Sequence, residues 1–522
     1  MSDGRVAVIG AGVGGLAAAI RLAAEGVGVD LYEAAAYPGG KMRQVTVAGR
    51  QLDAGPTVLT MDWVFRELFE AAGARLDDYV TLEPADILAR HAWPDGSRFD
   101  LLAGLEATMA EVARLSGAEE AARYRAFAAQ TAADYTLFRD SFIAASRPSP
   151  LSILTRIGPA RWRDLIAAQP SANLWRRLGR YFHDPRLRQL FGRYATYCGS
   201  SPFAAPATLM LIAHVERAGV WRVRGGMHQL AAALAALAGR MGVQIYYRTP
   251  VAEILTRAGR IHALRLADGN TVGAGAVVFN GDAGALSAGL LGPATRRATP
   301  KVPVRRRSLS AIAWSVVGRT QGLPLSHHTV VFGTDYREEF EAIFRRRTVP
   351  AEPTAYLCAL DRPAATAAPE TSGAERLHIH INAPADGDGA GLNDREIERC
   401  RERTWALMAR CGLEIAAEPT AISTTGPAAF ERLFPGTGGA LYGQTTHGPV
   451  ASFLRPTAAT RVPGLYLAGG SAHPGAGIPM AALSGKLAAE RLMADRVSTK
   501  RSRPAAISGG ISMRSRTTGA TG

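Results

Sequence analysis

The chain has 522 residues, 47% of them hydrophobic, which is long enough for two or more packed domains and excludes a globally disordered protein. Its 60 Lys and Arg residues outnumber 45 Asp and Glu residues, and the net charge of +15 predicts attraction to anionic surfaces such as nucleic acid or lipid. The basic residues form no nucleic-acid-binding motif, and the four cysteines have neither C-x-x-C nor metal-like spacing, so we expect no nucleic-acid partner, no metal and no disulfide framework.

The apolar stretches are interrupted by glycine clusters or charge within about a dozen residues, whereas a helix that crosses a bilayer needs ~20. A strand-like run begins at Val6, which leaves no room before it for a cleavable export signal. We therefore expect a cytoplasmic protein, with any attachment to the inner face of the membrane being peripheral.

The first third of the chain begins as a βαβ unit, with strand 6–9, helix 14–24 and strand 28–33. A Pro-Gly-Gly turn at 38–40 then leads into a hairpin over 42–52. Helical spacing dominates residues 63–145, interrupted by a hairpin over 87–101. Residues 151–191 mix large apolar side chains with many arginines, which is typical either of a solvated helical subdomain or of helices lying on a membrane surface.

A helix over 225–239 and strands at 244–247, 251–256, 261–266 and 277–280 indicate a return to the first domain. Residues 307–427, with alternation at 377–381 and an amphipathic helix over 394–409, predict a second domain that binds substrate. The last helix should begin after Gly477 and end near residue 494, and residues 498–522 have the composition of a disordered tail.

A first motif, Gly10-Ala11-Gly12-Val13-Gly14-Gly15, lies between the first strand and helix. In a G-x-G-x-x-G turn, glycines allow a tight turn and a close approach of backbone to a pyrophosphate, and the helix N-terminus supplies N–H donors. Glu33 ends the second strand, where a carboxylate accepts from the adenosine ribose hydroxyls. The combination predicts dinucleotide binding.

Three further motifs extend this prediction. Pro38-Gly39-Gly40-Lys41 and Asp53-Ala54-Gly55-Pro56 have glycines that let backbone N–H groups approach a second phosphate and a flavin ring. The third motif is Gly464-Leu-Tyr-Leu-Ala-Gly-Gly-Ser-Ala-His-Pro-Gly-Ala-Gly-Ile-Pro-Met480, in which a buried strand delivers Gly469 and Gly470 to a turn. The segment that follows precedes a helix whose positive N-terminus can stabilise a reduced flavin.

This C-terminal motif resembles that of the bacterial-type phytoene desaturases, in which a strand ending in glycines is followed by His-Pro-Gly-x-Gly-x-Pro and a helix. The resemblance extends from Arg5 to about Arg491. Its other matching segments are Tyr197-Cys-Gly-Ser-Ser-Pro-Phe, Glu216-Arg-Ala-Gly-Val-Trp-Arg-Val-Arg-Gly-Gly-Met, Gly439-Ala-Leu-Tyr-Gly and Phe453-Leu-Arg-Pro. Within the family, Gly469-Gly470-Ser471, Met480-Ala-Ala-Leu-Ser-Gly and Thr57-Val-Leu-Thr-Met look most like the hydroxycarotenoid 3,4-desaturases, also called methoxyneurosporene dehydrogenases.

The resemblance implies an α/β fold of the flavin amine oxidase and phytoene desaturase superfamily: a Rossmann-like FAD-binding domain, a mixed α+β substrate domain and a helical membrane-associating subdomain. FAD binding would use segments 1–85, 221–300 and 431–495, and substrate binding would use segments 86–220 and 301–430, with a disordered basic tail at 496–522. The residues expected to bind non-covalent FAD are Gly10, Gly12, Gly14, Gly15, Glu33, Gly39, Gly40, Lys41, Gly55, Pro56, Val251, Gly469, Gly470, Gly477, Ile478, Pro479 and Met480.

The implied reaction transfers hydride from an acyclic carotenoid, such as hydroxyneurosporene at C3–C4, to the flavin, with oxygen or a quinone as the final acceptor. Glu216 and His473 are the candidates for the base that removes the neighbouring proton, although each also has an ordinary structural interpretation, as an ion-pair carboxylate and a turn-shaping ring respectively. The alternatives are a phytoene desaturase, another carotenoid oxidase or isomerase, a less favoured amine oxidase, and an escort protein that carries isoprenoids.

Overall fold

The computed structural model describes residues 5–363, 373–389 and 391–501. Its strands are β1 Val6–Ile9, β2 Val29–Tyr32, β3 Gln44–Val47, β4 Arg50–Asp53, β5 Leu59–Thr60, β6 Leu82–Pro84, β7 Ile87–Ala92, β8 Arg98–Leu102, β9 Val220–Val223, β10 Gln244–Tyr246, β11 Val251–Arg257, β12 Arg260–Leu266, β13 Thr271–Gly273, β14 Ala276–Phe279, β15 Ser310–Gly322, β16 His328–Val331, β17 Ala355–Ala359, β18 Glu375–Ala383, β19 Leu413–Ala416, β20 Ile422–Thr425 and β21 Leu465–Leu467. Its α-helices are α1 Val13–Ala24, α2 Trp63–Ala71, α3 Leu105–Ser116, α4 Ala118–Phe138, α5 Pro150–Ile157, α6 Trp162–Ala168, α7 Leu174–Tyr181, α8 Pro185–Gly192, α9 Leu211–Arg217, α10 His228–Arg240, α11 Ala283–Ala288, α12 Tyr336–Glu341, α13 Asp394–Arg410, α14 Pro427–Leu433 and α15 Ile478–Arg501.

The first of the two large sheets is parallel and has the strand order β10-β2-β1-β14-β21. In β1, Val6 and Val8 pack in the core that contains α1, α10 and α15, whereas Ala7 and Ile9 pack against the three-stranded sheet β11-β12-β13. Because both faces are covered, the strand is apolar at every position, as parallel strands usually are. The strands of this sheet come from the chain segments 1–85, 221–300 and 431–495.

The second large sheet has the order β19-β15-β18-β17-β16-β7-β8, with β20 also paired to β15. In β18, Leu377, Ile379 and Ile381 pack in the core under α13, so the alternate residues His378, His380 and Asn382 lie on the opposite face. The hairpin β7–β8 joins this sheet through parallel pairing of β7 with β16. One face of the sheet is therefore an apolar core, and the other carries polar side chains.

The C-terminal helix differs most from the prediction. α15 continues to Arg501, so the prediction of a disordered tail from residue 496 or 498 is wrong for residues up to 501, and residues 502–522 lie outside the described part of the chain. Just before the predicted tail the helix is anchored, because Leu492 is buried and Asp495 accepts a hydrogen bond from the hydroxyl of Tyr466 at 2.9 Å. The helix also begins at Ile478, which places Pro479 in its first turn.

Two shorter differences have local causes. The predicted helix over 225–239 begins at His228, because Gly225 and Gly226 have positive φ values of 82° and 99° and the backbone N–H of Met227 donates to buried Asp53 at 2.5 Å. The strand β9, which pairs with β5 and β6, has no counterpart in the prediction. Its four residues are too few to establish an alternating pattern.

α15 packs closely against α1 through a glycine contact. A Cβ atom at Gly485 would lie 2.2 Å from the carbonyl oxygen of Gly14 and 2.9 Å from the nitrogen of Ala18. No side chain fits at this distance between two backbones, so the crossing of these helices depends on Gly485.

We expect Gly485→Ala to lower the free energy of unfolding by about 1–3 kcal/mol, because the added methyl group separates α15 from α1. Gly239→Ala in α10 is the matched control: apart from its own helix backbone and chain neighbours, no atom of the described residues lies within 4 Å of its added Cβ, and helix propensity should stabilise it by up to about 1 kcal/mol. Urea unfolding followed by circular dichroism measures both changes. Equal midpoints for the two variants would contradict the role assigned to Gly485.

Candidate functional site

The glycine motif forms a tight loop between β1 and α1. The N-cap of α1 is Gly12, which has no side chain to accept from the first-turn N–H groups. These N–H groups are therefore left for a ligand. Gly10 has a φ of 97°, and a Cβ atom at Gly15 would lie 2.1 Å from the carbonyl oxygen of Gly10. The loop and the helix can approach in this way only with glycine at position 15.

Asn280, at the carboxyl end of β14, is a central residue that the sequence analysis missed. Its Nδ2 donates to the carbonyl oxygen of Gly10 at 3.2 Å. Added Cβ atoms at Gly14 and Gly469 would lie 2.6 Å and 3.0 Å from its Oδ1, so the two glycine motifs meet around this amide. An Asn that ends a parallel strand beside the glycine loop is the signal that could have identified it.

Glu33 lies beside the glycine loop, as the motif spacing predicts. Its carboxylate accepts the backbone N–H of Ala11 at 2.6 Å and that of Ala35 at 2.8 Å. The rings of Tyr32 and Tyr246 stack at 5.2 Å next to it, and Val251 packs against the core on this side of the sheet. Glu33 is therefore positioned by the loop, and its contact with a ribose stays a prediction.

The turn with Gly39, Gly40 and Lys41 folds back over the glycine loop. A Cβ atom at Gly40 would lie 3.3 Å from the Cα of Gly12, and one at Gly55 would lie 1.9 Å from the carbonyl oxygen of Lys41. The Lys41 ammonium donates to the carbonyl oxygen of Leu441 at 2.6 Å, and burial lowers its pKa. The N-terminal motifs thus join the C-terminal part of the site.

The C-terminal motif is held by Arg455, which is buried. Its guanidinium donates to the carbonyl oxygens of Tyr442, Gln444 and Gly470 at 3.0, 3.0 and 3.3 Å. The N–H of Gly469 donates to the hydroxyl of Ser484 at 2.7 Å. These bonds fix the turn that precedes α15, whose first residues Ile478, Pro479 and Met480 line a cavity together with Gly477.

These features fit FAD. The close packing at the glycines allows the tight loop before α1, and α1 has no side-chain cap, so the N–H groups of its first turn are available to a pyrophosphate. Asp282 Oδ2 is buried and has no hydrogen-bond partner in the described part of the chain, which is typical of a group that meets a polar ligand. The predicted cofactor residues are brought together along one edge of the parallel sheet, with Val251 at its margin.

A cavity of about 600 Å³ lies between the two large sheets and the helical region. Gly55, Pro56 and the first residues of α15 line one part of it. Apolar side chains of α4, α5, α6 and α9 line a second part, including Phe138, Leu154 and Leu165. A third part is polar and is formed by Arg193, Tyr197, Glu216, Tyr356, His380 and Asn382.

Glu216 lies in the polar part of this cavity. Its carboxylate oxygens accept hydrogen bonds from the hydroxyls of Tyr194 and Tyr197, each at 2.7 Å, and only 6% of the residue is exposed. Burial raises the pKa of Glu216, although the two tyrosines and the charge of Arg193 oppose that rise. Its position is that of a buried group that can exchange a proton with a substrate.

His473 is buried next to the cavity. Its backbone N–H donates to the carbonyl oxygen of Pro456 at 2.8 Å, and its ring packs edge-on against Phe142 at 5.2 Å. Burial lowers its pKa to about 4, so the ring is neutral near pH 7. The neighbouring Pro474, which follows a cis peptide bond, lines the cavity. This geometry favours a role in shaping the turn.

Three possible metal ligands, His327, His328 and Cys358, lie within 4.8 Å of one another in the second sheet. Sequence spacing did not reveal them because Cys358 is on a different strand. Each imidazole has a protein partner: His327 Nδ1 lies 3.0 Å from the carbonyl oxygen of Arg362, and His328 Nδ1 lies 2.7 Å from the hydroxyl of Tyr356. These contacts make the histidines part of the polar network behind the cavity.

The fold and the site together define a flavin-dependent oxidoreductase. The model of the family described as flavin containing amine oxidoreductase matches residues 13–493, and the chain belongs to this family. The predictions of an enzyme, of FAD and of this superfamily fold are confirmed. None of the helices in the described ranges is both long and apolar enough to pass through a bilayer.

Curated relatives confirm the resemblance to the carotenoid desaturases. The chain is 51% identical over 516 residues to the hydroxyneurosporene desaturase of Rubrivivax gelatinosus, covering 99% of this chain and 98% of the relative. It is 46% identical to the hydroxyneurosporene desaturase of Cereibacter sphaeroides, covering 95% and 99%. Among solved structures, an oxidoreductase of Methanosarcina mazei has a similar fold, with a TM-score of 0.58, 14% identity and coverage of 93% and 100%.

We expect Gly15→Ala to weaken FAD binding by about 10- to 100-fold, because the methyl group would push α1 away from Gly10 and misplace the first-turn N–H groups. The flavin-to-protein absorbance ratio after gel filtration, and titration of the stripped protein with FAD, measure this loss. Gly239→Ala, in a helix outside the site, should retain the wild-type flavin content. A Gly15→Ala protein with full flavin content would contradict the assigned cradle.

Proposed function

We propose that this protein is an FAD-dependent carotenoid desaturase that removes two hydrogens at C3–C4 of a 1-hydroxylated or 1-methoxylated acyclic carotenoid such as hydroxyneurosporene. The observation that carries the proposal is the largely apolar cavity that extends from Gly55, Pro56 and the start of α15 to the surface helices α5 and α6. A rigid polyene is the kind of substrate that such a cavity fits. The identities of 51% and 46% to hydroxyneurosporene desaturases support this choice.

Bound FAD supplies the oxidising power by accepting a hydride. The chain positions the substrate and excludes water, since Phe138, Leu154 and Leu165 contact the polyene. Gly55 and Pro56 allow the polyene to approach the cofactor site closely. Loss of hydride beside the conjugated chain leaves a stabilised cation, so a single carboxylate is enough to accept the neighbouring proton.

Glu216 is the residue that we assign to proton removal. It lines the cavity, and its raised pKa makes it a better base than an exposed carboxylate. The hydroxyls of Tyr194 and Tyr197 donate to it at 2.7 Å each, and Tyr197 also accepts a hydrogen bond from Arg193. His473, neutral and packed on Phe142, positions the turn before α15.

The helices α5 and α6 are proposed to dock on an anionic membrane surface. Leu151, Trp162 and Ile166 are 72%, 50% and 74% exposed, and these helices also send Ile153, Leu154 and Leu165 into the cavity. Residues 147–180 carry seven arginines, six of them at least partly exposed, and one aspartate, and each basic residue near an anionic leaflet contributes about 1 kcal/mol. In this proposal a carotenoid enters the cavity directly from lipid, and the protein associates peripherally with the inner face of the membrane.

The test is an anaerobic incubation of the FAD-loaded protein in liposomes with hydroxyneurosporene and, separately, with phytoene. Loss of the visible flavin band and formation of a red-shifted product from hydroxyneurosporene alone is the expected result. Turnover of phytoene would indicate a phytoene desaturase. Carotenoid binding without flavin reduction would indicate an isoprenoid carrier.

For the base, we expect Glu216→Gln to lower kcat by about 100-fold or more while FAD content is unchanged. The wild-type rate should rise with pH as Glu216 loses its proton, and burial moves this rise to a higher pH than that of an exposed glutamate. The variant should lack the rise, as measured by stopped-flow flavin reduction between pH 4 and pH 9. An unchanged pH profile in the variant would exclude Glu216 as the base.

For the membrane face, we expect the double variant Trp162→Ser and Ile166→Ser to bind anionic vesicles at least about tenfold more weakly, because it loses apolar burial in the bilayer interface. Cosedimentation with vesicles measures binding. The control is Leu290→Ser with Val304→Ser, two apolar residues outside this region that are each about half exposed. Equal losses in the two double variants would contradict docking through α5 and α6.

A further inference from the structure

Two walls of polar side chains face each other across one end of the cavity. Tyr356 and His380 lie opposite each other in the antiparallel pair β17–β18, and Asn382 follows on the same face. The other wall comes from the 3₁₀ helix Arg193–Cys198 and from α9, which contribute Arg193 and Glu216. Such a concentration of polar groups is unexpected in a cavity for a hydrocarbon.

Arg193 has hydrogen-bond donors to spare. Its guanidinium donates to the hydroxyl of Tyr197 at 3.2 Å and lies over the rings of Tyr197 and Tyr356, at 5.3 and 5.4 Å from their centroids. In the described part of the chain, no carboxylate lies within the 4.0 Å of an ion pair with it. Because a guanidinium has five N–H donors and Arg193 lines the cavity, donors remain for a bound molecule.

Asn382 has an acceptor to spare. Its Nδ2 donates to the carboxylate of buried Glu339 at 3.0 Å, and the hydroxyl of Thr354 donates to the same carboxylate at 2.6 Å. These bonds fix the orientation of the amide, and its Oδ1 has no hydrogen-bond partner among the described residues. Arg193 is close enough for its charge to oppose the rise that burial causes in the pKa of Glu339.

A terminal hydroxyl matches this pair of groups. Its oxygen can accept from Arg193 while its O–H donates to Asn382 Oδ1, whereas a methyl ether can only accept. A hydrocarbon end can do neither and would leave both groups desolvated and unpaired. A site built to bond a hydroxyl discriminates strongly against the analogue that lacks it.

The location of these groups also agrees with the position of the reacting bond. Tyr356, between the two walls, bonds through its hydroxyl to the hydroxyl of Thr57 at 2.5 Å, and Thr57 directly follows Gly55 and Pro56. An oxygen on C1 of an acyclic carotenoid lies within about 4 Å of C3, given C–C bonds of about 1.5 Å. Binding that oxygen therefore holds C3 and C4 near the Gly55 segment.

We propose that Arg193 and Asn382 form a binding subsite for the C1 oxygen of the substrate, which selects hydroxylated and methoxylated carotenoid ends over hydrocarbon ends. This inference rests on the proposed function, which it deepens by assigning its specificity. Arg193 serves both kinds of oxygen, and Asn382 serves the hydroxyl alone.

The experiment measures carotenoid binding separately from turnover. Oxidised, FAD-loaded protein is incubated with the carotenoid, and the amount that the protein retains is determined by extraction. The ligands are 1-hydroxyneurosporene, its methyl ether and neurosporene. The wild-type protein should bind the first two at least about tenfold more tightly than neurosporene. A wild-type protein without this preference overturns the inference.

Arg193→Met should weaken binding of the hydroxyl and the methyl ether by about 10- to 100-fold and leave neurosporene binding unchanged or stronger. Arg193→Lys, which keeps the charge, should bind the hydroxyl and the ether more tightly than Arg193→Met does. Asn382→Leu should weaken binding of the hydroxyl by about tenfold but not that of the ether. Arg297→Met, an exposed arginine outside the cavity lining, is the control. Equal losses for all three ligands would identify Arg193 as merely structural and overturn the inference.

Flavin content and circular dichroism establish that each variant is folded. If the wild type prefers the hydroxylated carotenoid but never reduces its flavin with it, the proposed desaturation fails while the subsite stands. If it desaturates hydroxyneurosporene yet binds neurosporene equally well, the subsite fails while the proposed function stands.

Discussion

The packing of two glycine motifs around the Asn280 amide is the constraint on which the rest of the site depends. Gly14 and Gly469 come from distant parts of the chain, and added Cβ atoms at these positions would lie 2.6 Å and 3.0 Å from Asn280 Oδ1, while Asn280 Nδ2 donates to the carbonyl oxygen of Gly10. Gly14 also takes part in the contact of α1 with Gly485 of α15, which helps to set the position of the first residues of α15 in the cavity wall. The binding surface for a cofactor and the wall for a substrate therefore share Gly14.

The sequence predicted the nucleotide-binding part well because its signals are local. The strand, the glycine turn and the helix over residues 6–24 follow one another, and a single run from Gly464 to Met480 contains the C-terminal motif. Asn280 was missed because its importance comes from contacts with residues 270 positions away. What distinguishes it is that β14 pairs beside β1 and the glycine loop, and this pairing is not local in the sequence.

The polar wall of the cavity was missed for a related reason. The alternation in β18 is visible in the sequence, and it predicts that Leu377, Ile379 and Ile381 face the core, as they do. The intervening His378, His380 and Asn382 gain meaning only when β17 pairs beside them and Arg193 arrives from another element. The sequence left two interpretations of the arginine-rich segment 151–191, because its composition does not say which way each side chain points. The fold shows which of these side chains line the cavity.

The cavity has a polar inner end and an apolar mouth, and this asymmetry gives the reaction a direction. With the proposed oxygen subsite at the polar end, a long polyene would bind with its oxygenated end innermost and its other end toward α5 and α6. A molecule with two such ends would have to leave, turn around in the lipid and enter again before its second end could react. The enzyme would therefore work on chain ends one at a time, and half-converted molecules would be regular intermediates that accumulate whenever re-entry is slower than desaturation.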